Sequence, residues 1–203
     1  MAGAMSSKDV ILGRIRSALG PGLEAPAIPR NYRRDSDKPD LDLLVERLVD
    51  YKAVVHRVTG GGIPAAILEI LGAGTVVVPP GLPTEWLPPE VEAVVDDGLE
   101  ADRIGAADGV VTGAAVAIAE TGTIVLDASP DQGRRIITLL PDLHICVLRP
   151  EQVVASVPEA VARLDPRRPL TWISGPSATS DIELNRVEGV HGPRNLHVIL
   201  VAD

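Results

Sequence analysis

The chain has 203 residues, of which 45% are hydrophobic and 23% are charged, a balance typical of a globular domain with a packed core. Its formal net charge of -9 argues against a nucleic-acid binder, because such proteins neutralise phosphates with clustered lysine and arginine. No stretch approaches the ~20 apolar residues that span a bilayer. The single cysteine, Cys146, excludes an internal disulfide and a cysteine-only iron–sulfur cluster.

The first predicted element is a short amphipathic helix in SSKDVILGRIRSAL, with Ser6 or Ser7 as its N-cap and Gly20-Pro21 as its stop. Residues 20–40 are rich in proline, glycine and charge, which indicates an extended connector. We therefore predict a helix and connector over 1–40 and an α/β domain over 41–203. The opening residues lack the basic start and apolar run of a signal peptide, so we expect a cytoplasmic protein.

From residue 41 onward, helix-compatible segments alternate with β-branched runs. LDLLVERLVDYK has helical spacing, and AVVHRV reads as a strand that stops at the glycines 60–62. Later runs such as TVVVP and HICVL are apolar throughout, which indicates burial on both faces. The rhythm predicts an α/β fold with a mainly parallel sheet flanked by helices. In open sheets of this kind ligands bind beyond the carboxyl ends of the strands, where we expect the site.

The segment AIAETGTIVL places one carboxylate, Glu120, between two apolar runs. If both runs are strands, Thr121 and Gly122 form a tight turn and Glu120 is a charge beside it. Against that interpretation, a carboxylate close to an apolar core requires hydrogen-bond partners, and perturbed carboxylates mark functional sites. We expect Glu120 to act in chemistry, with the hydroxyls of Thr121 and Thr123 and the amides around Gly122 either as its hydrogen-bond partners or as an anion cradle.

A second motif, SGPSATSDIE at 174–183, follows the apolar run LTWI. Gly175 permits a sharp turn, and Ser177, Thr179 or Ser180 could cap a helical turn whose free amides suit a phosphate or carboxylate. Asp181 is either part of this ligand loop or an acid that complements a helix start. The pattern lacks the lysine of a P-loop and the glycines of a dinucleotide fingerprint.

The third motif is EGVHGPRN, in which glycines bracket His191 just before the last apolar run. A histidine in such a loop suits an acid, a base or a ligand, whereas His144 and His197 lie inside strand-like runs and are interpreted as structural. No histidine pair or cysteine–histidine cluster has the spacing of a zinc site, so we predict no metal.

Two adjacent arginines, Arg134 and Arg135, could pair with a ligand carboxylate. Adjacent residues on a helix point in different directions, so at most one should face the cleft. Arg134 is our candidate, and the alternative is a solvated helix start.

These motifs together resemble the LUD-domain family, and within it the lactate utilization protein C subgroup. The resemblance rests on IAETGTIVL, LLPDLHICVL, GPSATSDIEL and GVHGPRNLHVILV in that order, and ILGRIRSAL and IPRNYR are similar to the subgroup's lead segment, so it runs from about residue 8 to the end. It implies a fold similar to the sugar-isomerase and CoA-transferase-like group. The positions that match the family's motifs are Glu120, Thr121, Gly122, Gly175, Ser177, Thr179, Asp181 and His191.

The resemblance also implies a role in oxidising L-lactate to pyruvate alongside iron–sulfur oxidoreductase subunits. The chain has no cluster ligands and no flavin or nicotinamide fingerprint, so we expect no intrinsic cofactor. We therefore expect an accessory subunit that binds a small anionic metabolite and docks onto redox partners through its acidic surface or its N-terminal helix. Self-association is left open.

Two alternatives remain at this point. In the first, the chain is a stand-alone transferase in which Glu120 attacks an acyl thioester and the Gly175 loop holds phosphate. In the second, it is a regulatory module that binds a metabolite without turnover.

Overall fold

The computed structural model describes residues 6–20, 26–31, 38–179, 187–188 and 191–202. The chain divides into two compact units, Met1–Tyr32 and Arg33–Asp203. The first unit contains helix α1 (Ser7–Leu19), which begins at a capping box between Ser6 and Asp9 and ends at Gly20. The predicted first helix is thus confirmed, while the domain boundary predicted at residue 40 stays a prediction.

The second unit alternates strands with helices. Its helices are α2 (Leu41–Asp50), α3 (Ile63–Leu71), α4 (Ala101–Gly105) and α5 (Val157–Arg163). The strands in chain order are β1 (Val54–Val58), β2 (Thr75–Val78), β3 (Glu92–Val95), β4 (Gly109–Thr112), β5 (Val116–Ile118), β6 (Thr123–Leu126), β7 (Leu143–Leu148), β8 (Val153–Val154), β9 (Thr171–Ile173), β10 (Ala178–Thr179), β11 (Val187–Glu188) and β12 (Asn195–Val201).

The central sheet has six parallel strands in the order β1-β12-β7-β4-β2-β3. Its middle strands β7 and β12 pair over six positions, from Leu143 opposite Asn195 to Leu148 opposite Leu200. Apart from Leu143 at its start, β7 is buried along its whole length. The predicted class, α/β with a mainly parallel sheet flanked by helices, is confirmed.

Each face of this sheet packs against different elements. On one face Cys146 and Leu148 of β7 join Leu44 and Leu48 of α2 in one apolar cluster. On the other face the alternate residues Ile145 and Val147 pack in the cluster that contains α3. Side chains alternate between faces along a strand, and an apolar strand covered on both sides therefore requires a layer on each.

A second sheet lies in the first of these layers, with the order β8-β5-β6-β9. Strands β5 and β6 form the antiparallel hairpin whose turn contains Gly122, at a φ of 62°. This confirms the interpretation of Thr121-Gly122 as a tight turn between strands. The division of the strands into two sheets is not predicted from the sequence. Among the described residues, no helix is long and apolar enough to cross a membrane.

Candidate functional site

A cavity of about 280 Å³ lies beside the amino ends of β7 and β12, the strands that contribute His144 and Leu196 to its wall. The rest of the wall comes from the 3-10 turn Arg135–Thr138, from β9 and the loop at 174–177, and from the loop at 191–193. Three predicted site residues, Gly175, Ser177 and His191, meet here.

Hydrogen bonds through Ser177 hold the two loops of the cavity together. The Ser177 amide donates to the Pro193 carbonyl at 2.7 Å, and the Ser177 hydroxyl accepts from the His191 amide at 3.2 Å. The two motifs predicted as separate ligand loops therefore form one wall, although they lie about a dozen residues apart in the chain.

Gly175 allows the first of these loops to approach the end of α2. Its φ is 94°, a conformation that L side chains rarely adopt, and an added Cβ would lie 2.8 Å from the Cβ of Tyr51. The expected sharp turn at Gly175 is thus explained by close backbone packing as well as by dihedral angle.

The described residues that line the cavity differ in the sign of their formal charge from the whole chain. Arg135 lines it and is exposed, and the described lining residues include no aspartate or glutamate, although the chain carries a net charge of -9. Hydroxyl groups of Thr171, Ser174 and Ser177 add donors, and Trp172 and Leu196 supply apolar surface. A cation with hydroxyls and apolar walls in a small cavity suits a small carboxylate.

His144 is one of two buried polar residues of this wall among the described residues, the other being Thr138. His144 is only 1% exposed, and its Nε2 lies 2.8 Å from the hydroxyl oxygen of Thr112 at the end of β4. Burial lowers the pKa of His144 to about 4, so the imidazole is neutral at physiological pH. Nothing in the sequence indicates that His144 lines a cavity, beyond the presence of a polar residue inside an apolar strand.

Glu120 lies elsewhere, at a separate open cleft of about 450 Å³ that is also lined by Arg47, Asp50, Tyr51 and Thr121. Its carboxylate Oε1 accepts a hydrogen bond of 3.0 Å from the amide of Val157, the first residue of α5. This contact satisfies an amide that has no partner within the helix, which is the usual role of a capping side chain. The structure therefore does not bring Glu120 to the cavity of His191.

A short chain of hydroxyls runs from the Glu120 turn toward the cavity. Thr121 Oγ1 donates to Thr123 Oγ1 at 2.8 Å, and Thr123 Oγ1 lies 2.9 Å from Ser174 Oγ. Thr123 is buried, and Ser174 lines the cavity. The turn that was expected to bind an anion is thus hydrogen-bonded to the loop at 174–177 through Thr123. The hydroxyls of Thr121 and Thr123 are hydrogen-bonded to each other.

Arg134 does not line the cavity of His191, because its guanidinium is bound to Asp96. Its Nε donates to Asp96 Oδ2 at 2.8 Å and its Nη2 to Asp96 Oδ1 at 2.5 Å and to the Leu99 carbonyl at 3.0 Å. These bonds hold the pKa of Asp96 below its ordinary value. Only one of the two arginines reaches the cavity, as expected, but it is Arg135 and not the candidate Arg134.

The remaining predicted site residues cannot be placed. Asp181 lies outside the described residues, and of Thr179 only the backbone in β10 is described. Within the described ranges, no group of three or more His, Cys, Asp or Glu side chains could hold a metal ion.

The cavity lies at the opposite edge of the sheet from the one expected. A loop that precedes a strand must lie at the amino end of that strand, and His191 precedes β12. A cleft of about 380 Å³ does lie at the carboxyl ends, beside Gly60, Trp86 and Arg149. There the Arg149 Nε is 3.2 Å from Glu151 Oε1, and none of the predicted site residues is present.

Residues 84–201 match the LUD domain, and the match covers more than half of the chain. Together with the parallel-sheet fold and the loops that carry the predicted motifs, this establishes the class: the chain belongs to the LUD-domain family.

Within that family, the chain is similar to lactate utilization protein C of Deinococcus radiodurans, with 51% identity over 162 residues that cover 77% of this chain and 76% of the relative. Lactate utilization protein C of Geobacillus kaustophilus is 31% identical, over 99% of this chain and 98% of its own. A crystal structure of a DUF162 family protein from Deinococcus radiodurans has a TM-score of 0.70 and 43% identity, and the match covers 80% of this chain and 96% of that one.

Proposed function

We propose that the chain is a component of a lactate utilization system and binds a small carboxylate metabolite in the cavity beside His191. The observation that carries this proposal is the composition of the cavity wall, whose described residues include Arg135 and the hydroxyl-bearing Thr171, Ser174 and Ser177 but no carboxylate. The lactate utilization system is inferred from the names of the relatives, and the small carboxylate ligand is inferred from the chemistry of the cavity wall.

The size of the cavity also supports a small ligand. About 280 Å³ lies at the lower end of the range for metabolite sites, and a three-carbon acid with its first waters fits such a volume. An electron acceptor must take up the electrons of lactate oxidation, so the chain acts together with iron–sulfur oxidoreductase partners and contributes the binding of the acid.

Helix α1 is the proposed docking element for those partners. Ile11, Ile15 and Leu19 recur every four residues and form an apolar stripe, and they are 57%, 49% and 57% exposed. The helix also carries Lys8, Arg14 and Arg16 against a single acid, Asp9. A partner groove that is apolar at its centre and acidic at its rim matches this helix.

The test of the function is lactate-dependent reduction of an artificial acceptor dye. The chain alone, its redox partners alone and the reconstituted mixture are compared, with Arg135→Ala and Arg134→Ala variants in the mixture. We expect activity only in the mixture, a loss of more than tenfold with Arg135→Ala, and activity close to wild type with Arg134→Ala at a temperature where both are folded. Full activity of the partners alone would overturn the proposal.

The docking route is tested separately by co-purification of the chain with its partners. Replacement of Ile11, Ile15 and Leu19 by serine should abolish co-purification while the cavity still binds ligand. Gly13→Ser and Ser17→Ala, on the same helix but outside the stripe, serve as the matched control. Unchanged co-purification of the triple variant would exclude α1 as the docking element.

A further inference from the structure

The buried pair of His144 and Thr112 lies in a part of the core that is otherwise apolar. Thr112 is fully buried at the end of β4, and Cys146, Leu196 and Ala114 of the adjacent cluster are buried as well. A polar pair at such a position stabilises the fold less than apolar residues of similar size would, unless every polar atom has a partner.

Within the described part of the chain, one ring nitrogen of His144 has a hydrogen-bond partner and the other has none. Nε2 is bound to Thr112 Oγ1, and among the described residues no hydrogen bond involves Nδ1. His144 is 1% exposed and lines the cavity of Arg135. Its second ring nitrogen is therefore available for a hydrogen bond to a molecule in that cavity.

The charge state of His144 determines which group it can recognise. Burial keeps the imidazole neutral, so it does not offer a second positive charge to a ligand. The carboxylate is therefore held by Arg135, and His144 offers one neutral hydrogen bond. If Thr112 donates to Nε2, then Nδ1–H is a donor, and if Thr112 accepts from Nε2–H, then Nδ1 is an acceptor. A hydroxyl oxygen satisfies either arrangement.

We propose that His144, positioned by Thr112, is the specificity-determining residue that recognises the hydroxyl on carbon 2 of the bound acid, so that the cavity selects 2-hydroxy monocarboxylates over plain ones. This inference rests on the proposed function, because it requires that the cavity binds a small carboxylate at Arg135. It goes further by naming the substrate class and the residue pair that discriminates within it.

The test compares dissociation constants of L-lactate, pyruvate and propionate, the last of which lacks the oxygen on carbon 2. Wild-type protein should prefer L-lactate over propionate by roughly 5- to 10-fold, which corresponds to one neutral hydrogen bond of about 1 kcal/mol. Thr112→Val removes the hydroxyl with little change of shape, and His144→Gln removes the ring. Both should reduce the preference to below twofold while the affinity for propionate stays within twofold.

The result identifies which claim fails. If propionate and lactate bind with equal affinity to wild type, or if Thr112→Val keeps the full preference, then this inference is wrong and the carboxylate site remains. If none of the three acids binds, or if Arg135→Ala leaves their affinities unchanged, then the proposed function fails and this inference fails with it. Thr112→Val decides the matter if His144→Gln does not fold.

Discussion

The guanidinium of Arg134 donates two parallel hydrogen bonds to the carboxylate of Asp96, whose side chain is 1% exposed. Its neighbour Arg135 has no carboxylate partner among the described residues and lines the cavity. Two adjacent arginines therefore have different roles, one in the stability of the fold and one at the site.

This difference predicts opposite effects of the two alanine variants. Arg134→Ala should lower the free energy of unfolding clearly, because it leaves the Asp96 carboxylate buried without its partner, whereas Arg135→Ala should change it by less than ~0.5 kcal/mol. Urea unfolding followed by circular dichroism measures both. Equal midpoints for the two variants would contradict the structural role of Arg134.

The contact between Glu120 and α5 predicts a structural effect of changes at Glu120. Glu120→Ala should destabilise the protein by about 1 kcal/mol through loss of the cap, and Glu120→Gln by less, since the amide oxygen can still accept from Val157 N–H. Thermal unfolding of the two variants distinguishes them.

The same residue tests the transferase alternative. After incubation with an acyl-CoA, intact-mass and peptide analysis should find no adduct on Glu120, because the carboxylate lies at a different cleft from the Gly175 loop. A covalent adduct that is absent from the Glu120→Gln protein would favour the transferase.

Close packing at Gly175 predicts a large effect of a single methyl group. Gly175→Ala should destabilise by about 1–3 kcal/mol, because alanine at a φ of 94° is strained and its Cβ would meet Tyr51. Gly105→Ala is the matched control, since an added Cβ there meets nothing within 4 Å and alanine favours the helix. Equal stability of the two variants would show that the loop does not require glycine.

Protonation of His144 predicts a loss of stability in mild acid. The folded pKa of about 4 lies below the unfolded value of 6.5, so the unfolded chain binds the proton first and stability falls as the pH drops from 6.5 toward 4. Between pH 7.5 and 4.5 the wild type should lose roughly 2–3 kcal/mol more than His144→Gln. His197, whose pKa is also lowered, is present in both proteins and its effect cancels. If the stability of wild type and of His144→Gln falls equally as the pH drops, the imidazole of His144 is not buried and neutral in the folded protein.

The sequence was sufficient to predict the sheet because the strands are apolar on both faces. Runs such as TVVV and HICVL require a layer on each side, and a parallel sheet with helices follows from that requirement. The hairpin at Gly122 was predictable for a local reason, since a Thr-Gly step between two apolar runs is turn chemistry.

The composition of the site was harder to predict, because it depends on contacts between distant parts of the chain. Glu120 and His191 both lie in loops, but the second sheet and the α5 cap place Glu120 at a different cleft. The sequence around Arg134 and Arg135 does not show which of the two lines the cavity. Arg134 is the one that pairs with Asp96, which lies nearly 40 residues earlier in the chain. The sequence does not single out His144, because a histidine inside a buried strand usually serves packing, and only the structure shows that this one lines a cavity.

The most direct test of the central claim is a binding measurement on the isolated chain. Trp172 lines the cavity and Trp86, the only other tryptophan, lies outside it, so in a Trp86→Phe background the fluorescence reports the site alone. Titration with L-lactate and pyruvate should give a saturable change that weakens at least tenfold with Arg135→Ala and persists with Arg134→Ala. A titration without saturation up to tens of millimolar, or one that is insensitive to Arg135, would contradict the proposal that this cavity binds a small carboxylate.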